Sequence, residues 1–487
     1  MAAVRTQCQP IQLATVNARY PHSAFGLRCL WSNLGDLRPL AAVREFTGRD
    51  GADRIADALL AARPRAIGLG VYIWNVAILN EVARSLRRRA PEVAIVVGGP
   101  EVSHEHETSE LVALADVLVR GEAELAFAEV AAGLLDRRPP AARIVSAPPP
   151  DLDRLELPYG AYSDEDIGHR ILYVESARGC PFGCEFCLSS LDRCVRAVPL
   201  APFFQAMARL IDRGGRRFKF VDRSFNIDVP RAVEILRFFH QRWRDGMQVH
   251  LELVPDRIDR ELLDAMARFP PNALHLEVGI QSFNEPALRA VGRRQDVALA
   301  ERNLSLLQQT GAALHADLLV GLPGEDWASF AAGFDRLIAR RPPELQIEIL
   351  KRLRGTAIDR HPGLRFATEP PYELLCSDAL DSAQVQRIKR CARYLDLLYN
   401  SGNFPRSLEW LWRCDRSPWA ALVALSDAIW SNLGAVHSIP LATLAEQLFG
   451  FLVGRGVADR RTIGDAIDRD YHRLAGRRDR LAFLSRG

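Results

Sequence analysis

Arg178-Gly-Cys180-Pro-Phe-Gly-Cys184-Glu-Phe-Cys187 is the stretch on which the fold turns. It follows an apolar run at 171–177 that reads as a strand, so one short loop at a strand tip carries three cysteines in CxxxCxxC spacing. Three thiolates so placed can each hold one iron of a [4Fe–4S] cube and leave the fourth iron without a protein ligand. That open iron can chelate a small molecule, which a four-cysteine site cannot do. Gly179 and Gly183 let the loop wrap closely, and Phe186 can shield the cube from water. Two other readings stand beside this one. A zinc site would want a second ligand pair elsewhere, and even with Cys194 no matching CxxC or HxxxH exists. Three structural thiols are the remaining alternative.

Working outward, strand signals recur near 171–177, 217–222, 248–253, 273–281, 313–320 and 345–350, with helical segments between them. Six βα units are too few for a closed eight-stranded barrel, so a partial (β/α)6 barrel is expected. Ahead of it, apolar runs at 11–16, 42–46, 66–72, 93–97 and 117–120 alternate with helical patterns at 26–34, 50–63, 76–89 and 121–135. Such βαβ alternation implies a doubly wound parallel sheet. No GxGxxG follows its first strand, which disfavours a nucleotide-binding role. A proline-rich segment at 138–158 reads as a linker. Beyond 357 the pattern turns helical, near 381–398, 415–432, 440–454 and 460–475. The expected division is an α/β domain at 1–140, a linker at 141–164, a barrel at 165–356 and a helical domain at 357–487.

The 487 residues are 48% apolar and 25% charged, the balance of a globular protein and not of disorder or coiled coil. Net charge is +3, so no general basic field points to nucleic acid. All basic residues except Lys219, Lys351 and Lys389 are arginine, which reads as codon bias and not as phosphate recognition. The longest apolar stretch, 66–79, contains Asn75 and is too short for a membrane span, and the N-terminus lacks a signal-peptide core. A cytoplasmic location is expected, where nine cysteines stay reduced. Cys376, Cys391 and Cys414 are too widely spaced for a second cluster and read as structural thiols.

The cysteine loop on the first strand of a partial barrel resembles the radical S-adenosylmethionine (SAM) superfamily over roughly residues 165–355. That resemblance implies that SAM chelates the open iron and is cleaved to a 5′-deoxyadenosyl radical, with electrons from an external flavodoxin- or ferredoxin-type donor. The later strands agree: His250-Leu-Glu252-Leu, Glu277-Val-Gly-Ile-Gln281-Ser-Phe-Asn, Arg293, and His315-Ala-Asp317-Leu-Leu-Val-Gly321-Leu-Pro-Gly-Glu. In the branch containing the oxygen-independent coproporphyrinogen oxidases, a Glu, Gln, Arg, Asp series lines the SAM pocket. The resemblance therefore marks Glu252, Gln281, Arg293 and Asp317 for SAM, with Phe186 and Gly321 beside them. Arg293 is expected to face the SAM carboxylate and to leave the cluster untouched. The other reading of these residues is polar support for the barrel layers. The GGEP-like turn of many members is altered here to Phe218-Lys-Phe-Val-Asp222-Arg-Ser-Phe-Asn226. Asp222 keeps the expected place, and Asn226 reads as a turn residue.

A parallel α/β domain ahead of such a barrel resembles the cobalamin-binding domain of the B12-dependent subclass. The segments that carry this are Asn17-Ala-Arg-Tyr20-Pro-His22, Val71-Tyr72-Ile-Trp74-Asn75, Gly98-Gly99-Pro100-Glu101-Val-Ser103 and Gly121-Glu122-Ala-Glu124. All lie beyond strand ends, where open α/β sheets bind ligands. The resemblance thus marks Asn17, Tyr20, His22, Tyr72, Trp74, Asn75, Gly98, Gly99, Pro100, Glu101, Ser103, Gly121 and Glu122 for cobalamin. DxHxxG is absent, and His22, His104 and His106 lack its spacing, so the cobalamin is expected base-off. A purely structural sheet domain, with Tyr72 and Trp74 in core packing, is the competing reading. The whole order resembles B12-binding radical SAM proteins with an uncharacterised helical C-terminal domain, which could close the barrel or cover a substrate. The function implied is cobalamin-dependent methylation of an unactivated carbon in a small-molecule, natural-product or peptide substrate. A cyclase or rearrangement enzyme using the same cofactors, or a non-catalytic sensor, remain alternatives.

Overall fold

The computed structural model describes residues 9–473, 477 and 480–484. The first sheet has six parallel strands: β1 (Ile11–Asn17), β2 (Ala41–Thr47), β3 (Ala66–Gly70), β4 (Ala94–Gly98), β5 (Val117–Gly121) and β6 (Ile144–Ala147). Their order is β2-β1-β3-β4-β5-β6. All seven residues of β1 are buried. Strands covered on both faces read as continuous apolar runs, as the central β3 and β4 do. Helices Ala52–Leu60, Val76–Arg89 and Glu110–Leu114 bury Ile55, Leu79 and Leu111 on one face. Helices Phe25–Ser32 and Glu124–Leu135 bury Leu27, Phe127 and Val130 on the other. The strand order reverses between β1 and β3, and a crevice opens at the carboxyl ends there.

The segment read as a linker contributes β6, paired from Leu118↔Ile144 to Gly121↔Ala147. Its prolines flank these four residues and do not interrupt them, which is compatible with an edge strand.

The second sheet runs β14-β13-β12-β11-β10-β7, all parallel and in chain order. The strands are β7 (Leu172–Val174), β10 (Arg217–Phe220), β11 (Gln248–Leu253), β12 (Leu274–Gln281), β13 (Ala313–Val320) and β14 (Glu344–Ile349). Between β7 and β10, a small antiparallel ribbon of β8 (Ala177–Arg178) and β9 (Arg196–Ala197) brackets the cysteine loop. Five of the following helices start on an Asp or Asn whose side chain accepts a backbone N–H: Asp228, Asp259, Asn284, Asp296 and Asp326. Such caps satisfy otherwise orphaned donors at each turn off a strand end.

Along β12 burial alternates strictly. Leu274, Leu276, Val278 and Ile280 are buried in the core shared with the surrounding helices, and His275, Glu277, Gly279 and Gln281 face inward. β11 alternates likewise, and on β13, where burial does not alternate, His315 and Asp317 take inward places beside Glu277 and Gly279, so the barrel has a polar inner wall.

Helices Ser382–Leu395, Pro418–Leu433, Leu441–Gly454 and Arg460–His472 share a core of their own. Trp419 seats this region on the barrel, its ring 5.2 Å from Phe330 and 5.1 Å from Phe334. Asn400 covers the free edge of β14: its Nδ2 donates to Leu345 O and its Oδ1 accepts from Leu345 N, both at 3.0 Å. Pairing of this kind removes the hazard of an open edge strand.

Candidate functional site

Cys180, Cys184 and Cys187 line one cavity of about 170 Å³ at the carboxyl ends of the barrel strands. The loop is fixed from three sides. Gly179 has φ +94°, and a Cβ there would lie 2.2 Å from Cys194 O. Cys180 N donates to Asp192 O at 3.0 Å, and Glu185 N to Val291 O at 2.9 Å. His361 Nε2 pairs with Glu185 Oε2 at 2.7 Å, so the start of the C-terminal region braces the loop. Here the close approach demands glycine at 292 and not at 183: a Cβ on Gly292 (φ +70°) would lie 2.7 Å from Gly183 O, whereas one on Gly183 would meet only the Arg193 guanidinium at 3.5 Å. Cys194 is exposed and lies outside the cavity lining. Burial pushes the Cys180 and Cys184 thiols up, and Arg293 opposes the shift at Cys184. Two buried thiols and a half-buried third, with a cation beside them that favours the thiolate form, suit ligation of an iron–sulfur cluster.

Phe186, Glu252, Gln281, Arg293 and Asp317 line the same cavity. Arg223, Glu277, Gly279 and Gln295 join them, and sequence reasoning assigned none of these four. Gln281 adopts φ +67°, unusual for a residue with a Cβ. It sits where the β12–β13 register shifts between Gly279 and Gln281. Bulges of this kind re-aim a side chain beside a site. Burial raises both Glu252 and Asp317, with Arg223 opposing at the first and His315 at the second. Glu277 goes the other way: burial would raise it, but the His250 hydrogen bond and the Lys219 charge hold it well below the usual carboxylate range.

Three expectations are corrected here. Asp222 is 3% exposed and is outside the cavity lining; its carboxylate accepts from Ser176 N at 2.9 Å and Ser176 Oγ at 2.6 Å. It ties β10 to the end of β7. Gly321 backs onto Leu374, whose Cδ2 would lie 2.0 Å from a Cβ there, so its small size serves packing. Arg293 does touch a cluster ligand: its Nη1 is 3.8 Å from Cys184 Sγ, while Gly279 O and Gln295 Oε1 hold the rest of the guanidinium. Asn226 acts as a turn residue, bonding Val254 O and Arg257 O at 3.0 and 2.7 Å.

A second cavity of about 670 Å³ opens at the carboxyl ends of the first sheet. Asn17, His22, Tyr72, Trp74, Gly98, Gly99, Gly121 and Glu122 line it. Gly99 at φ +113° and Gly121 at φ +85° have no room for a Cβ, which would meet Val71 O at 2.4 Å and Ala147 O at 2.5 Å. The cavity runs inward past Gly68 and Gly70 beneath Leu27 and Phe127, a glycine-hollowed slot between sheet and helices. At its mouth the Trp74 ring is stacked on Tyr72 at 4.4 Å and is 56% exposed. An exposed, pre-stacked indole over a mostly apolar cavity suits a large planar ligand.

Five residues marked for cobalamin stand elsewhere. Tyr20 is exposed, bonded to Glu165 at 2.8 Å under the Arg170 guanidinium. Asn75 is buried in its own turn, bonding Tyr72 N and Thr15 Oγ1. Pro100 and Ser103 line a neighbouring depression with His104 and Leu188. Glu101 is 4% exposed and reaches the C-terminal side of the barrel, 3.0 Å from Arg354 Nε and 2.7 Å from Tyr372 OH.

Glu122 and Glu124 have partners within the chain. Arg178 Nη1 lies 2.5 Å from Glu122 and 2.9 Å from Glu124, and Arg196 pairs with Glu122 as well. The turn after β5 is thereby clamped to the ribbon that carries the cysteine loop. His22 Nδ1 meets Tyr173 OH at 2.7 Å on the other side. The two cavities share one strand end: Val221 lines the larger and Arg223 the smaller. Two residues of chain separate these positions by at most about 7 Å.

A parallel sheet docked by its strand ends onto a cysteine-bearing partial barrel defines a class of protein with two cavities lined from neighbouring positions of one strand end. Comparison with known proteins gives the class its name. Residues 174–337 match the Radical SAM superfamily, residues 12–131 the B12 binding domain, and residues 361–487 a protein of unknown function, DUF4080. The cobalamin-dependent radical SAM methyltransferase TokK of Streptomyces tokunonensis is 28% identical over 316 residues, 56% of this chain and 45% of that protein. The 2-(S-pantetheinyl)-carbapenam-3-carboxylate methyltransferase of Streptantibioticus cattleyicolor is 26% identical over 326 residues, 59% of this chain and 46% of its own. The chain thus spans less than half the length of these two relatives. Among solved structures, the radical SAM methyltransferase TsrM from Kitasatospora setae superposes with a TM-score of 0.61 at 19% identity, covering 74% of this chain and 78% of that one. The cobalamin-dependent SAM radical enzyme OxsB gives 0.61 at 13% identity, covering 94% and 80%. The chain carries a B12-binding domain, a radical SAM domain and a DUF4080 domain in that order, and the first two imply cobalamin, a [4Fe–4S] cluster and SAM as its cofactors. Among the described residues no helix is long and apolar enough to cross a membrane.

Proposed function

We propose that this protein is a cobalamin-dependent radical SAM methyltransferase acting on an unactivated carbon of a small-molecule, natural-product or peptide substrate. The observation that carries the proposal is the shared strand end, with Val221 in one cavity wall and Arg223 in the other. A substrate placed between them reaches both cofactors without leaving the barrel mouth. When bound, the cluster and SAM supply a hydrogen-abstracting radical, and the corrinoid supplies a methyl group.

The chain's own residues position and shield. Cys180, Cys184 and Cys187 would hold three irons of the cluster. Arg293, fixed by Gly279 O and Gln295, presents Nη1 toward the cluster side, where a SAM carboxylate would also find it. Glu252 and Asp317, raised by burial, can donate or accept hydrogen bonds to ribose hydroxyls. Trp74 and Tyr72 would pack against the corrinoid and the slot at Gly68 and Gly70 would leave room for part of it, with the base-off form a part of this proposal. Two methyltransferases among the curated relatives support the transfer reading. An external one-electron donor of flavodoxin or ferredoxin type completes the proposal.

The test is anaerobic turnover of cluster- and cobalamin-loaded protein with trideuteromethyl SAM, reductant and a low-molecular-weight metabolite extract. Formation of 5′-deoxyadenosine and S-adenosylhomocysteine together, with a product in which one CD3 group has replaced a hydrogen, is the expected result. 5′-Deoxyadenosine without S-adenosylhomocysteine or label transfer would overturn methyl transfer and favour cyclisation or rearrangement.

A further inference from the structure

Three consecutive barrel strands repeat one pattern, His-x-acid: His250-Leu-Glu252 on β11, His275-Leu-Glu277 on β12 and His315-Ala-Asp317 on β13. On β11 and β12 the pattern is in register, His250 beside His275 and Glu252 beside Glu277. On β13 it is displaced by one layer, so that His315 stands beside Glu277 and, on its other side, beside Glu344 of β14. The displacement brings three donors together on the inner wall. His275 Nε2 lies 3.8 Å and His315 Nδ1 3.9 Å from the same Glu344 Oε2, and the ligand atoms of the three residues all lie within 4.8 Å of one another.

We propose that His275, His315 and Glu344 form a mononuclear site for a divalent cation of zinc or ferrous class, distinct from the cysteine-held cluster. Bonds of about 2.0–2.2 Å in tetrahedral geometry place donor atoms about 3.4 Å apart, so closure needs shifts of about half an ångström between each histidine and Glu344 and of at most about 1.4 Å between the two histidines. Two imidazoles and one carboxylate select zinc or iron over magnesium and calcium, which prefer all-oxygen shells. Asp317 Oδ1 stands 3.0 Å from His315 Nε2 and orients that ring so that Nδ1 faces Glu344. His315 Nε2 is buried without a well-aligned hydrogen bond among the described residues, as in a ring whose orientation serves its other nitrogen. His250 stacks on His275 at 4.5 Å and 13°, which holds the second imidazole in place. His275 and Glu344 are 33% and 39% exposed, so an ion can enter from solvent.

Three protein ligands leave a coordination position open on the barrel interior. Asp317 also lines the cluster cavity, so the site sits one residue layer below the SAM region and is connected to it through a single carboxylate. An ion there would anchor a Lewis-basic group of a substrate entering the barrel.

The test uses full-length protein already reconstituted with its cluster, so that the cysteines are occupied, then given one equivalent of Zn(II) and desalted. Elemental analysis should find about one zinc per chain beside the roughly four irons of the cluster. X-ray absorption at the zinc edge should show nitrogen and oxygen neighbours without sulfur. His275→Ala/His315→Ala should lose the zinc and keep the iron, and the half-exposed Glu344→Gln should weaken zinc binding at least tenfold. Absence of zinc from the wild-type protein, undiminished zinc in the double variant, or sulfur-ligated zinc with loss of iron would each overturn the proposal. Iron content and cluster absorbance of each variant report whether it has folded, and a double variant that loses both passes the decision to Glu344→Gln.

Discussion

Arg293→Gln removes the positive charge whose Nη1 lies 3.8 Å from Cys184 Sγ while keeping a side chain that can bond Gly279 O. A unit charge about 4 Å from another in an effective dielectric constant of about 20 contributes about 4 kcal/mol. The guanidinium is shared with Gly279 O and Gln295 Oε1, and a cube spreads an added electron over several atoms, so roughly a third of that reaches the redox couple. About 1.4 kcal/mol corresponds to about 59 mV for a one-electron couple. A cation favours the reduced, more negative cluster, so its removal should lower the midpoint potential by that order. Anaerobic redox titration followed by electron paramagnetic resonance reads the shift directly, and Arg293→Lys should recover part of it. SAM binding should weaken roughly tenfold to hundredfold in the glutamine variant, the loss of a charge-assisted bond contributing about 1.5–3 kcal/mol. A midpoint potential that stays put or rises, with cluster content unchanged, would refute the placement of Arg293 beside the cluster.

Changing Cys180, Cys184 and Cys187 together to alanine should abolish cluster iron and the thiolate-to-iron absorbance, whereas Cys376→Ala or Cys414→Ala should leave both intact, as iron analysis will show. Gly99→Ala should impair cobalamin uptake by the full-length protein and lower thermal stability by about 1–3 kcal/mol, because its Cβ would lie 2.4 Å from Val71 O at φ +113°. Arg354→Ala leaves the buried Glu101 carboxylate facing Tyr372 alone, so hydrogen exchange should rise in residues 351–376 and around 100–105. Burial raises Asp222 to about 7 against its Ser176 hydrogen bonds, so the native state holds a proton that the unfolded chain has already released above the ordinary carboxylate range. Its contribution therefore favours folding in acid and is lost as pH rises toward 7. The melting temperature of Asp222→Asn relative to wild type should climb between about pH 4 and 7 and level off above.

Local features were the legible ones. The cysteine loop and the apolar runs of both sheets are set by neighbours a few residues away, and the strands lie within a residue or two of their expected bounds, apart from β7, which is shorter than the run that marked it. Residues that act across the chain were misread for one physical reason: a carboxylate's partner is chosen by tertiary packing. Glu101 looked like a ligand-loop residue, but its partner is Arg354. Asp222 occupies the expected strand end, yet a strand residue's facing depends on register, and here it faces Ser176. β6 was hidden because proline composition outweighed a four-residue strand. The polar inner wall was available in principle, since His-x-acid at period two on three predicted strands places histidine and acid on one face. Each pattern looked ordinary alone, and only their register brings His275, His315 and Glu344 together.

The position of Arg178 joins these observations into one argument about coupling between the two cofactor domains. It stands two residues before Cys180 on β8, and it pairs with Glu122 and Glu124 in the turn that lines the corrinoid cavity and with Glu175 at the end of β7. These side chains are 6–20% exposed, so the charges are partly desolvated, and leaving one unpaired is costlier than at the surface. The cysteine loop therefore cannot shift relative to the first sheet without breaking several charge-assisted bonds at once. The methyl transfer proposed above would require fixed cofactor spacing, because a substrate carbon would have to meet a hydrogen acceptor on one side and a methyl donor on the other within near-contact distance. An Arg178→Met variant should keep the packing of the stem and lose the clamp. If the clamp sets the spacing, cluster and cobalamin contents should stay near wild type while 5′-deoxyadenosine formation becomes uncoupled from methylated product. If product per 5′-deoxyadenosine is unchanged, the spacing is held by the remaining contacts, His22 with Tyr173 and Glu105 with Arg352, and Arg178 is only one support among several.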